Sequence, residues 1–489
     1  MNRMNRYILS AIGCLFCLIT FASERHWMTH FAYNSVQQIA FTEDEVYAQA
    51  NGKLFSVDPT TEKLTKYTNY SGMHGKDIAQ LAFDATRNQM LIMYTDGKMD
   101  IWHANKNMQY ISDLYNKQMT SSKKCNNITI HNDMAYLSMD FGILTFDLEN
   151  YEIIDTYYIG HEASEISVQD VLILGDSIYA KSTDSIYAAH LKDNIVDYRY
   201  WKSSKSATVP FDSKKGQEYI SAKGDIWRAA GTKGIEREFA TKSKSYYLPD
   251  GPAMNIPYSL SHSNDRLYMV PGGRWTAQNL TAGCVMIYEN GKWKNITSSE
   301  IYNTTQKSVL DFTNVAINPD NPKHYFVSSF GTGLYEFKDD KLVNHYTPSN
   351  SIFGSVIKEN PEYYTRIEAP MFDSEGRLWV IVAGSNIDTT LVSFDTDGSQ
   401  RGLNIFPSGV RRLINTPGNM LQDRVKKNRK WIISCRTEAS VILLDDGGTK
   451  FDSSDDQCIS LTEFTDKMAK LLNLIFSSQS LKLLMVIYG

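Results

Sequence analysis

The sequence predicts an all-β protein, a seven-bladed β-propeller followed by an incomplete second propeller. Three observations predict it. The stretch from Val315 to Tyr346 holds four short strand-like runs joined by three tight turns. Strand-opening apolar residues recur at Ile39, Ile78, Ile128, Val171, Tyr219, Leu260, Val315 and Ile367, in steps of 39, 50, 43, 48, 41, 55 and 52 residues. That spacing is near the period of about 40–50 typical of propeller arrays. Second and third strands also repeat a theme, a polar residue or glycine ahead of an aliphatic–aromatic pair.

Within Val315–Tyr346, Asn318, Pro319, Asp320 and Pro322 make a turn after a short apolar run. His324 to Ser329 is rich in β-branched and aromatic residues, which suit a pleated, half-buried surface. Gly331-Thr332-Gly333 turns the chain into Leu334–Phe337, and Asp339-Asp340 turns it again into Lys341–Tyr346. One such sheet cannot bury both faces alone and needs copies on either side. The copies show in second strands such as Glu45–Ala48, Met134–Leu137, Asp176–Ala180, Gly224–Trp227, Asp265–Tyr268 and Glu375–Trp379. Third strands answer with Lys53–Asp58, Gly142–Asp147 and Gly333–Phe337.

In chain order, residues 1–22 read as a signal peptide. Arg3 and Arg6 form a positive n-region, Ile8 to Phe21 an apolar core, and Thr20-Phe21-Ala22 a cleavage site. Export across the inner membrane is therefore expected. His26 to Tyr33 alternates as a strand, which sets His26 and His30 about 13 Å apart and excludes a shared metal ion. Residues 24–346 then supply seven blades, and 350–466 begin a second propeller with about two. The tail 467–489 loses the Gly, Asp and Trp punctuation. With the second ring unfinished, a truncation or frameshift is expected there, a capping helix being the alternative.

Composition fits a globular protein: 489 residues, 42% hydrophobic, 21% charged, and a net charge of −5. That balance gives no reason to expect a nucleic-acid partner. Cys125, Cys284, Cys435 and Cys458 fit no CxxC metal or redox pattern and read as buried free thiols.

Catalytic signatures are missing. There is no H-E-x-x-H, no G-x-S-x-G and no G-x-x-x-x-G-K-[ST]. Gly175-Asp176-Ser177 reads as a β-turn, and Asp395–Ser399 as a hairpin turn rather than a calcium loop, since it lacks the distal Glu. No catalytic residue, cofactor or metal is expected, and the chain reads as a non-enzyme. One cluster stands above background. Arg401, Arg411, Arg412, Arg424, Lys426, Lys427, Arg429 and Lys430 face only Asp423 across Arg401–Lys430. Such runs are commonly solvated loops. The sharper alternative is an anion-binding loop built on Arg411, Arg412, Lys426, Lys427, Arg429 and Lys430, suited to phosphate or acidic sugar.

Several motifs carry a family resemblance: W-x-T-H-x-x-Y at Trp27–Tyr33, V-Y-A and L-F-x-V-D within Val46–Asp58, F-G-I-x-x-F-D-L at Phe141–Leu148, and D-T-Y-Y-I-G at Asp155–Gly160. Over roughly residues 24–465 the chain resembles the PorZ family, surface components of the Bacteroidota type IX secretion system. The resemblance implies two propellers and a carboxy-terminal sorting domain, which is missing from this chain. It also implies a place at the outer membrane and cell surface, partnership with a sortase and other attachment-complex proteins, and help in delivering anionic lipopolysaccharide. E-G-R-L-W-V at Glu375–Val380 is shared with the extracellular propellers of hybrid two-component sensors, the second reading. A polysaccharide-cleaving enzyme built from blade loops is the third.

Overall fold

All eight strand-opening residues lie on the first strand of a four-stranded antiparallel sheet in the computed structural model. The structure describes residues 28–42, 44–103, 107–274, 280–387, 389–403, 417–434, 440–449 and 454–461. The expected signal peptide, Trp27, Arg411, Arg412, Cys435 and the tail 467–489 lie outside them. Among the described residues nine four-stranded units follow one another, here blades 1 to 9: residues 36–67, 78–111, 125–157, 170–204, 218–247, 259–296, 312–346, 365–403 and 417–461. In each, strands a to d run in chain order across the sheet. Within blades 1 to 4 and within blades 6 to 9 the a strands of successive blades pack on one another, so they form the inner edge.

Seven four-stranded units precede residue 347, and two observations bear on how the blades on either side of 346–350 are arranged. Strand b of blade 7 (His324–Gly331) pairs with strand a of blade 8 (Thr365–Phe372) through Phe330/Arg366 and Gly331/Thr365, joining both blades into one eight-stranded sheet. Ala316, Phe326 and Leu334 also share a core with Ile367, Leu378 and Val380. Meanwhile blade 5, not blade 7, lies against blade 1. Val36 and Gly231 exchange both backbone hydrogen bonds, and Ile39 N donates to Gly216 O at 2.6 Å. Among the described strands, packing therefore runs in two series, 5-1-2-3-4 and 6-7-8-9. The expected strand at His26–Tyr33 is also absent over its described part: the first strand starts at Val36, and Ala32 N instead donates to Asn255 Oδ1.

Blades lean on each other through side chains. Gln38 clasps Leu81 of blade 2, donating to its carbonyl at 2.9 Å and accepting from its N–H at 2.8 Å. Gln80 donates to Asn126 O of blade 3, and Asn126 donates to Val168 O just ahead of blade 4. Ser261 of blade 6 donates to Val315 O of blade 7. The seams are filled with aromatics at repeated positions: Tyr47, Tyr67, Phe83 and Trp102 between blades 1 and 2, and Phe326, Tyr346, Phe372 and Phe394 between blades 7 and 8. Trp227 of blade 5 meets Phe41 of blade 1 in the same way, with Tyr247 stacked on Trp227.

Turns between strands b and c are just as regular. Gly142 (φ +146°) and Gly333 (φ +92°) each sit where an added Cβ would lie 2.2 Å from a strand-d carbonyl, that of Tyr157 or Tyr346. Left-handed φ and backbone contact both demand glycine. The free thiols Cys125 and Cys284 are buried, and burial pushes each up to about 12.

Two carboxylates are buried with opposite consequences. Glu336 is 4% exposed, which disfavours its charge, yet it accepts from His324 Nε2, Asn344 Nδ2 and Tyr346 OH, which hold it at about 2. Glu368, on strand a of blade 8, is fully buried, and burial raises it to about 7 although Arg274 of blade 6 pairs with it.

Gly142→Ala is expected to lower stability by about 2–4 kcal/mol through strain and a backbone clash. Gly175→Ala, where φ is +56° but nothing lies within 4 Å, should cost only about 1 kcal/mol. Thermal unfolding of both variants checks the order.

Denaturant unfolding against pH separates the two carboxylates. Glu336 is depressed in the fold, so its contribution is present above its ordinary 4.5 and is lost as pH falls toward 2. Glu368 is raised, so the folded state binds its proton more tightly, and stability falls as pH rises from 4.5 to about 7. Glu336→Gln should flatten the acid limb, and Glu368→Gln should remove the decline between 4.5 and 7.

Candidate functional site

The basic cluster divides once its strands are placed. Blade 9 presents a hairpin between Pro417–Gln422 and Arg429–Ser434. Antiparallel pairing with Ser440–Asp445 sets Arg429 opposite Asp445 and Lys430 opposite Leu444. Arg429 Nε consequently donates to Asp445 at 2.6 Å. Lys430 is 1% exposed; its ammonium donates to Asp446 at 2.8 Å and lies 4.1 Å from the Trp379 ring centre. Both charges are already paired, Lys430 buried and Arg429 half-buried, and a paired cation has less left to offer an outside anion.

Arg424, Lys426 and Lys427 stay exposed at the hairpin tip, with Val425 84% exposed among them. The tip is firmly built. Asp423 Oδ1 accepts from the Val425 and Lys426 N–H groups, its Oδ2 accepts from Trp431 Nε1, and Gln422 donates to Lys427 O. Of the six residues expected to bind an anion, Lys426 and Lys427 are presented together, Arg429 and Lys430 are engaged elsewhere, and Arg411 and Arg412 lie outside the described residues. The spacing of basic residues along the chain could not show this, because the pairing aspartates arrive from the next strand.

Three clefts open at seams on the end where a–b and c–d turns emerge. One of about 770 Å³ lies between blades 5 and 1, beside the stacked rings of Phe41 and Tyr219, 3.8 Å apart. One of about 430 Å³ lies between blades 7 and 8, over Glu336 and beneath the turn Asp395–Ser399. The third, about 180 Å³, lies between blades 1 and 2. Along the inner edge of blades 1 to 3, the space is crossed by the segment before blade 5, where Lys215 binds Thr129 and Asp170. Among the described residues no group of three or more His, Cys, Asp or Glu is placed to hold a metal ion. Asp395–Ser399 is a hairpin turn closed by Asp395 N to Ser399 O, and Gly175 lies in a turn.

Comparison with known proteins agrees with this architecture. A family model described as the PorZ N-terminal β-propeller domain of the type IX secretion system matches residues 46–202. Among solved structures, PorZ of Porphyromonas gingivalis is described as an essential bacterial surface component of that system. It matches with a TM-score of 0.76 at 20% identity, covering 91% of this chain and 69% of that one. The extracellular domain of a protein named as a hybrid two-component system of B. thetaiotaomicron gives 0.29 at 12% identity, over 88% of this chain and 62% of that one. BamB from Moraxella catarrhalis gives 0.26 at 11% identity, over 75% and 99%. Scores that low carry no argument. No curated protein matches the sequence. The family model is similar to this chain over residues 46–202, and the β-propeller fold of PorZ is shared over most of the chain.

Proposed function

We propose that the chain serves as a non-catalytic surface component of a type IX secretion system, assisting a sortase and the delivery of anionic lipopolysaccharide. The observation that carries this reading is the family match over residues 46–202, supported by the fold shared with a surface component of that system. Export to the outer membrane and cell surface belongs to the same reading. So does a platform role, because a propeller presents broad, rigid turn faces on which partners can dock. The packing favours dividing the blades into a five-blade and a four-blade series over seven followed by two.

Co-purification from outer membranes of the host tests the platform role: sortase and attachment-complex proteins should accompany the tagged chain. Their absence, with the protein folded and at the surface, would overturn it.

The hairpin tip of blade 9 is the anion-contacting element in this reading. Lys426→Ala/Lys427→Ala should weaken binding of purified anionic lipopolysaccharide and reduce its salt dependence, since exposed charges act over only about 8–10 Å at physiological ionic strength. Arg429→Lys, which alters a charge already held by Asp445, should leave that binding unchanged and cost stability instead. Equal affinity of wild type and the double variant would reduce the tip to solvated surface.

A further inference from the structure

We propose that the cleft between blades 7 and 8 is a receptor for a cationic side chain, a lysine or arginine presented by a protein partner. The seams between blades 1 and 2 and between blades 7 and 8 use the same aromatic positions. Where the first has Trp102, however, the second has the smaller Phe394, and the cleft grows from about 180 to about 430 Å³. Packing the blades together does not require that extra space.

Its charge is one-sided. Glu336 lies at the base, held ionised by three hydrogen bonds, and Lys338 offsets it at 3.3 Å. His324 is held in the network by two hydrogen bonds. Asn318 Oδ1 accepts from Asp320 N, which turns the Asn318 amide nitrogen toward His324 Nδ1 and leaves Nε2–H to donate to Glu336. At the mouth, Asp395 is half-buried and Asp397 exposed, and neither has an ion-pair partner among the described residues. Three carboxylates against one ammonium give the lining a formal charge of −2, with His324 counted as neutral.

Aromatic ring faces and carboxylates attract the same ligand, an organic cation. The half-buried ring of Phe372 and the phenol of Tyr346 line the wall next to these carboxylates. A metal ion is a poorer match, because no group of three suitable ligands converges among the described residues. An anionic ligand would meet net repulsion. This inference is separate from the secretion reading. Failure of the cleft to bind leaves the family match untouched, and loss of sortase association leaves the cleft untouched.

The test uses the full chain and three probes: N-acetyl-arginine methylamide, its lysine counterpart, and N-acetyl-citrulline methylamide, which keeps the shape of arginine without its charge. Binding is read by ligand-observed magnetic resonance. The two cationic probes should bind and the citrulline probe should not. Asp395→Asn/Asp397→Asn should weaken binding about tenfold or more, while melting stays unchanged. Asn keeps the side-chain oxygens that accept from Thr396 N and Ser399 N, so the turn survives. Asp44→Asn, at the two clefts beside blade 1, should have no effect. Equal binding of citrulline, no binding of any probe, or undiminished affinity in the double variant would each overturn the proposal.

Discussion

Contact between one blade's face and the next is the constraint on which this structure depends. Each four-stranded sheet pairs its own strands, and among the described residues main-chain bonds cross a seam at only a few points, such as the junction of blades 7 and 8, Val36 with Gly231, and Gly272 with Phe312. Along the rest of each seam, side chains join one sheet to the next. On the inner edge the solution is polar: Gln38, Gln80, Asn126 and Ser261 each reach a main-chain carbonyl at the following blade. Farther out it is aromatic, with rings from strands b and d of one blade set against rings from strands a and c of the next. The polar contacts tie neighbouring blades at the inner edge, and the rings bury apolar area at the seams farther out.

This division of labour explains the unusual aromatic content. A chain with 29 tyrosines and 21 phenylalanines has enough rings to repeat the seam at several places. Tyrosine suits the strand-d position because its ring fills the seam while its hydroxyl reaches a polar partner. Tyr67 finds Glu45 and Ser56, Tyr247 finds Glu62, and Tyr346 finds Glu336. The glycine at the b–c turn belongs to the same unit, since it lets the turn approach the carbonyl of that tyrosine in blades 3, 5 and 7.

Much of this was legible in the sequence. Ile39, Ile78 and the six residues that continue their series all mark first strands, because apolar periodicity and turn chemistry are local properties of the chain. The order of blades in space was not legible. Blade 5 meets blade 1 through Phe41, Tyr219 and Trp227, residues far apart in sequence that look like any other strand aromatics. The break expected at 346–350 rested on a loop-like stretch, yet that stretch is tied down: Ser351 donates to Thr347 O, and Phe353 packs in the core shared by blades 7 and 8. The basic cluster was visible as composition. Its neutralisation by Asp445 and Asp446 depends on a strand pairing that composition cannot show.

The same reasoning separates positions that hold the fold from those free to carry function. Lys430 belongs with the first group, closed in between Asp446 and the Trp379 ring, despite being a charge in a basic run. Asp395 belongs with the second, although it ends a third strand just as Asp58 and Asp147 do. Asp58 and Asp147 each accept two main-chain N–H groups and close the turn after their strand. Asp395 accepts only from the adjacent Thr396 N–H and lines a cleft that the repeat does not need to keep open. In a repeat protein the positions that depart from the pattern without loosening the seam are where a specific chemistry can be added.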